Sequence, residues 1–354
     1  MHLIHPKQFW QAREKEKNSI RKPISTMKTS DLPLWKDMPA VPGMPHGFAW
    51  GLFDKDGKRD ELGTLNKLSP EAVLAARDEI KTGVSVSLNW GLEKQHQPGY
   101  GRSSLQHRLV DWKKKALELG TPPFFSYDDE ISVNTQAGSQ WDGQRHWAHQ
   151  ATGLYYNGLA HDEVPDSCHL GVDHWSKAGG IVGRGILVDF ASYAEERGIA
   201  YDPMTAYKIP LDTVKAIVAE KRIEIRPGDI LLMRSGWVKW YEEHSQDERT
   251  QKISHGSAWI GMEANQESIA WLWDNHFAAV AGDSIGFETA PLDPVYSFHD
   301  NCIAGWGMPI GEMWDLEALA DECKKQNRWS FFLTSAPLNL KGGAASPPNA
   351  IAIF

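Results

Sequence analysis

Gln136-Ala137-Gly138-Ser139-Gln140-Trp141-Asp142-Gly143-Gln144-Arg145-His146 carries the residues on which the reading of this chain turns. Asp142 and His146 stand four positions apart, a spacing that puts both on one face wherever the segment is helical. The carboxylate can then orient the imidazole and raise its pKa, which suits a general acid or base working near neutrality. Gln136 and Gln140 add amides, whose N–H groups can face a substrate carbonyl and whose oxygens can face an ion. Trp141 and Trp147 bracket the pair, each a broad apolar face with one donor, suited to core packing or to a planar ligand. An Asp-x-x-x-His spacing alone is common on helix surfaces, so its meaning depends on what else the chain carries.

Further landmarks follow in order. Arg226-Pro227-Gly228-Asp229 runs into the apolar Ile230-Leu231-Leu232-Met233 and ends in Arg234-Ser235-Gly236-Trp237. Ala281-Gly282-Asp283-Ser284-Ile285-Gly286 comes next, then His299, then Pro309-Ile310-Gly311-Glu312. The chain closes on Pro337-Leu338-Asn339-Leu340-Lys341-Gly342-Gly343 and Ser346-Pro347-Pro348-Asn349-Ala350-Ile351-Ala352. Together these segments resemble the cyclase family that includes bacterial kynurenine formamidase and isatin hydrolase, whose signature reads H-x-G-T-H-x-D-x-x-x-H. On that pattern the two metal-binding histidines fall on Gln136 and Gln140, the aspartate on Asp142 and the acid/base histidine on His146.

The resemblance implies an α/β protein of the swivelling β/β/α kind, a central barrel-like sheet flanked by helices, usually a homodimer or homotetramer. It implies a metal set of Asp142, His299 and Glu312, with His146 and Asp142 catalytic; Gln136, Gln140, Trp141 and Trp147, which surround that pair in the sequence, are the residues expected to bind substrate. Glutamine oxygen is harder and a weaker donor than imidazole nitrogen, so the exchange turns the site from zinc toward oxygen-loving ions. Manganese or zinc, or no metal at all, are the cofactor expectations. His161 and His174 are available as replacement ligands, while Asp189, Asp283 and Glu288 read as groups that end strands or hold loops. The implied activity is hydrolysis of an amide, lactam or lactone of a small aromatic molecule. The alternatives are a metal-independent cyclase, dehydratase or isomerase, and a non-catalytic binding protein built on an enzyme fold.

Composition narrows the field independently. The chain has 354 residues, enough to bury a substantial core. Its formal net charge of -9 lacks the basic excess that nucleic-acid binding draws on. No apolar run reaches the length of a membrane span. Three cysteines, Cys168, Cys302 and Cys323, are widely spaced and odd in number, which fits reduced thiols in a cytoplasmic protein. The expected partner is a small-molecule substrate.

Residues 1–45 read as an N-terminal arm broken by prolines, followed by one domain over 46–354 with a polar insertion near 93–125. Ser69-Pro70-Glu71 opens a helix toward Ile80, and Ser85 to Leu92 alternates like a strand. Strands are expected at 185–190, 229–234, 277–280 and 329–333, and helices at 212–223, 266–275 and 315–323. Strands alternating with helices predict helices packed on a sheet.

Overall fold

The computed structural model describes residues 31–255 and 258–354. Thirteen strands form among them: β1 (Ser85–Ser87), β2 (Gln106–Asp111), β3 (Tyr127–Ser132), β4 (Gln140–Asp142), β5 (Ile181–Asp189), β6 (Lys208–Ile209), β7 (Ile230–Arg234), β8 (Gly261–Met262), β9 (Ala279–Gly282), β10 (Ile310–Glu312), β11 (Ser330–Ser335), β12 (Ala345–Ser346) and β13 (Ala350–Ile353). Nine join one curled half-barrel sheet in the order β1-β13-β11-β5-β7-β9-β10-β4-β12. Its centre, β5, β7, β9 and β10, is parallel, and antiparallel strands flank it on both sides. β2 and β3 pair only with each other.

The helices are α1 (Pro70–Ala76), α2 (Trp112–Glu118), α3 (Asp173–Lys177), α4 (Phe190–Arg197), α5 (Leu211–Glu220), α6 (Trp237–Glu243), α7 (Gln246–His255), α8 (Gln266–Asp274) and α9 (Glu317–Gln326). Their starts follow local chemistry: Ser69 accepts from Ala72 N with Pro70 at the first helical position, and Asn265 and Ser268 cap α8 reciprocally. Parallel strands buried on both faces read as continuous apolar runs, and 230–233 is such a run. Leu231 and Met233 point into a core with Val214, Trp237, Ile269 and Leu272, whereas Ile230 and Leu232 point into a second core with Trp141, Trp314, Leu319 and Phe331.

Three sequence expectations change. Residues 1–30 lie outside the described residues, but 31–45 are no free arm: Leu32, Trp35 and Met38 are buried, and Pro33 O accepts from Trp273 Nε1 at 2.8 Å. The strand expected to reach Leu92 stops at Ser87, because the Asn89 side chain takes the place of its backbone against Ala350 of β13 and Trp90 N bonds to Ser139 in the loop before β4. The polar insertion extends to Ser132, as a two-stranded ribbon with α2 at its turn. Among the described residues no helix is long and apolar enough to cross a membrane, and all three cysteines are free.

Candidate active site

β4 is three residues long, yet it is paired on both edges, with β10 in the register Ile310↔Asp142 and Glu312↔Gln140 and with β12 beyond. Side chains alternate across a strand, so Gln140, Asp142 and Glu312 share one face and Trp141 takes the other. His299 reaches the same place from a π-helical turn, His299–Gly305, a widened geometry that recurs at functional sites. Gly307 then turns the chain into β10 at φ +64°. A Cβ there would lie 2.6 Å from Gln144 Nε2 and 2.9 Å from Gly63 Cα, so the turn requires glycine.

These elements bring residues far apart in sequence into one buried cluster. One ligand atom from each of Asp142, His299 and Glu312 lies within 4.8 Å of the others. Gln140 Nε2 donates to Glu312 Oε2 at 2.9 Å and to Gln136 Oε1 at 2.7 Å, with a longer contact to Asp142 Oδ1 at 3.2 Å. Gln136 Nε2 also donates to Asp142 Oδ1. The two amides therefore occupy one oxygen of each carboxylate. The other oxygens, Asp142 Oδ2 and Glu312 Oε1, are buried without a hydrogen-bond partner, as is Gln140 Oε1.

Both orphaned oxygens face His299. Its Nε2 lies 3.3 Å from Glu312 Oε1 and 3.8 Å from Asp142 Oδ2, and neither contact has hydrogen-bond geometry. Its Nδ1 is 2.7 Å from Glu288 Oε1, and Glu288 also accepts the backbone N–H groups of Phe298 and His299, each at 2.8 Å. An Nδ1–H donated to a carboxylate leaves the Nε2 lone pair pointing at the two orphaned oxygens, the arrangement typical of a metal-binding histidine. Metal bonds near 2.0–2.2 Å are compatible with such separations. The donor set thus fits a divalent ion, which Asp142, His299 and Glu312 would hold.

In the ion-free cluster protons take the place of a cation. Burial and the nearby Asp142 carboxylate push Glu312 up to about 8. Burial works against a charge on His299, but Glu288 and Glu312 outweigh it and raise the imidazole well above its ordinary value. Three buried carboxylates around one imidazole leave an excess of negative charge, a cost that a bound cation offsets.

His146 stands at the rim. β4 ends at Asp142, so the segment is not the helix that the four-residue spacing suggested. A turn closed by His146 N donating to Gly143 O at 2.8 Å brings the ring back instead. His146 Nε2 is 3.8 Å from Asp142 Oδ1, too far for a hydrogen bond. Burial lowers its pKa despite the pull of Asp142, which reverses the expected direction. Its side chain is 17% exposed, against 8% for His299 and 5% for Glu312. Trp147 forms a wall beside both histidines, its ring 4.9 Å from that of His299 and 6.3 Å from that of His146, with Nε1 held by Asp300 Oδ1 at 2.7 Å.

Other candidates sort differently. Trp141 is fully buried on the opposite face of β4, packed against Trp314 at 4.7 Å and donating to Ser335, so it does not line the site. Gln136 and Gln140 turn their N–H groups to carboxylates rather than outward. His161 pairs with Tyr155 and His174 with Cys168 O, and neither joins the ligand cluster. Asp189 caps α4 and Asp283 holds Ser235 and Gly236, as expected of loop-holding groups. Glu288 is different: it orients His299, a role that its eleven-residue separation concealed. Arg102, from the polar insertion, lies close enough for its charge to act on both His146 and Glu312.

The fold and this constellation together define a class. A family profile described as "Putative cyclase" matches residues 84–289, more than half of the chain, and the chain belongs to that family. The crystal structure of a novel cyclase is similar, with a TM-score of 0.75 and 27% identity, covering 87% of this chain and 99% of that one. An isatin hydrolase bound to the product analogue thioisatinate shares the fold at 16% identity and a TM-score of 0.54, covering 81% and 99%. Isatin hydrolase A from Labrenzia aggregata, bound to benzyl benzoate, does so at 19% and 0.53, covering 82% and 98%. No curated protein sequence matches the chain.

Proposed function

We propose that this protein is a hydrolase that opens an amide, lactam or lactone bond of a small aromatic molecule, with His146 as general acid/base. One observation carries the reading: His146 is the more exposed of the two imidazoles, and its Nε2 lies 3.8 Å from Asp142 Oδ1 at the rim. A neutral imidazole there accepts a proton from an attacking water and returns it to the departing nitrogen or oxygen. Trp147 offers a flat face on which an aromatic ring can lie beside that imidazole. Asp142, His299 and Glu312 would hold a divalent ion, manganese or zinc, with Glu288 fixing the His299 tautomer. When bound, the ion supplies Lewis acidity toward the carbonyl and lowers the pKa of water. The fold shared with isatin hydrolases supports a lactam among the substrates to be tried first.

A second reading, a metal-independent cyclase, dehydratase or isomerase, has its own support. The Gln136 and Gln140 amides already bond to both carboxylates, and His299 can sit as an imidazolium between Glu288 and Glu312. A panel of arylformamides, isatin-like lactams and aryl lactones, assayed before and after chelation, separates the two. Turnover that chelator abolishes and manganese restores supports the hydrolase. Hydrolysis that persists in stripped protein contradicts the role given to the ion, ring closure or dehydration there without hydrolysis supports the second reading, and no turnover on any member of the panel contradicts the proposed substrate class.

A further inference from the structure

The polar insertion brings one cation to the site. Gln106 pairs with Ser132 at the root of the ribbon, so the chain entering β2 and the chain leaving β3 run side by side there. Arg102 stands four positions before that pair and Gln136 four positions after it. A tight turn sets the approach of Arg102. Its N–H donates to Gly99 O at 3.3 Å, and Tyr100 and Gly101 both take left-handed backbone, at φ +61° and +66°. Two such residues in a row are the mark of a primed turn. Arg102 is half-buried, and its guanidinium carbon lies 5.1 Å from the centre of the Tyr100 ring. Among the described residues its side chain has no hydrogen-bond or ion-pair partner.

The neighbouring donors are already engaged. The Gln136 and Gln140 amides bond within the carboxylate cluster, and Trp147 gives its N–H to Asp300. A cation kept to neutralise Asp142 or Glu312 would pair with one of them. Arg102 pairs with neither, yet stands near enough for its charge to act on Glu312 and His146. Its planar fork of free donors matches a carboxylate, which accepts two parallel bonds from a guanidinium. We propose that Arg102 is a specificity residue that binds a carboxylate carried by the substrate, so that the aromatic molecules opened here are acids. On the hydrolase reading, on which this inference rests, the ring lies against Trp147, the scissile bond beside His146 and the carboxylate on Arg102.

The test uses isatin-like lactams, aryl lactones and arylformamides as matched pairs, each with and without a carboxylate placed in turn at the open ring positions. Wild-type protein supplied with manganese should favour the best acid over its neutral partner by roughly 10–100-fold in kcat/KM, chiefly through KM, as a charged hydrogen-bonded pair would give. Arg102→Gln should collapse that ratio toward one, Arg102→Lys should keep part of it and Arg102→Glu should invert it. A wild type indifferent to the carboxylate overturns the proposal. So does an Arg102→Gln variant that loses equally on acids and neutral partners, the result expected of an arginine that only holds the loop or tunes the pocket's charge. Should no pair turn over, the hydrolase reading fails, and calorimetry with benzoate and benzamide decides the role of Arg102 separately. Wild type should then hold benzoate more tightly than benzamide, and Arg102→Gln should weaken benzoate at least about tenfold. Benzoate held no better than benzamide, or held as tightly by the variant, overturns the selection of an acid.

Discussion

Glu79 and Glu312 are both buried carboxylates beside the same sheet, and their surroundings push them in opposite directions. Around Glu79 burial opposes the charge, but Ser330, Arg184 and Arg328 hold the group below its ordinary value. Arg184 spans Glu79 at 2.7 Å and Asp229 at 2.8 Å, and Arg328 adds a contact at 3.1 Å. A cleft of about 640 Å³ opens there, and Arg184, Arg226 and Arg328 on its wall are all paired with carboxylates. Glu312, by contrast, is pushed up to about 8 and keeps an oxygen without a partner. A buried charge cluster with its groups paired holds structure together, whereas one with orphaned acceptors is built to receive something.

The comparison breaks first on activity. His146→Ala should lower kcat by about 100-fold to 10,000-fold, the usual contribution of general acid/base catalysis, and leave the thermal midpoint near wild type. Steady-state kinetics and calorimetry on the same preparation check both halves. The wild-type kcat/KM should also lose activity as pH falls through a value below the ordinary histidine pKa of about 6.5, because burial lowers His146 and only the neutral ring acts as base.

Arg184→Met should do the reverse. It leaves Glu79 and Asp229 short of their cation and should cost about 3–5 kcal/mol in denaturant unfolding, while turnover per folded molecule stays unchanged. A loss of turnover without a loss of stability would erase the distinction between the two clusters.

Glu312→Gln sharpens the contrast through pH. A carboxyl whose folded pKa is raised binds its proton more tightly when folded, so its charge costs stability as pH rises from the unfolded value toward about 8. In chelator-stripped protein the variant should therefore gain on wild type across that window, by up to about 5 kcal/mol at about 1.4 kcal/mol per pKa unit. Glu79 has the opposite sign: its contribution is present above the unfolded value and is lost as pH falls through the depressed folded pKa. The smallest effect concerns the amides. Gln136→His with Gln140→His should raise zinc affinity at least about tenfold, roughly 1.4 kcal/mol, by replacing amide oxygen with imidazole nitrogen. Calorimetry showing no gain would mean that the pocket no longer has metal geometry.

Much of the fold was legible because its signals are local. The apolar run at 230–233 fixed β7, and the 3.6-residue spacing of Ile269, Leu272 and Trp273 fixed α8. Asp142, His146, His299 and Glu312 were reachable through the ordered landmarks, which stand for long-range contacts that periodicity cannot express. Trp141 was misplaced because Gln140, Trp141 and Asp142 were not read as a strand, where alternation alone sends the indole to the core. Glu288 left no pattern, since its link to His299 depends on how the π-helical turn presents a ring. The ribbon shows in the sequence only as a polar insertion, because exposure on both faces erases the alternation that marks a half-buried strand.

Titration of manganese into chelator-stripped protein by isothermal calorimetry tests most directly whether the orphaned oxygens form a cation site. The account predicts one ion per chain in the wild type, the same in His146→Ala, and none in Asp142→Asn. A wild type that takes up no ion, or an Asp142→Asn variant that takes up as much as the wild type, would contradict it.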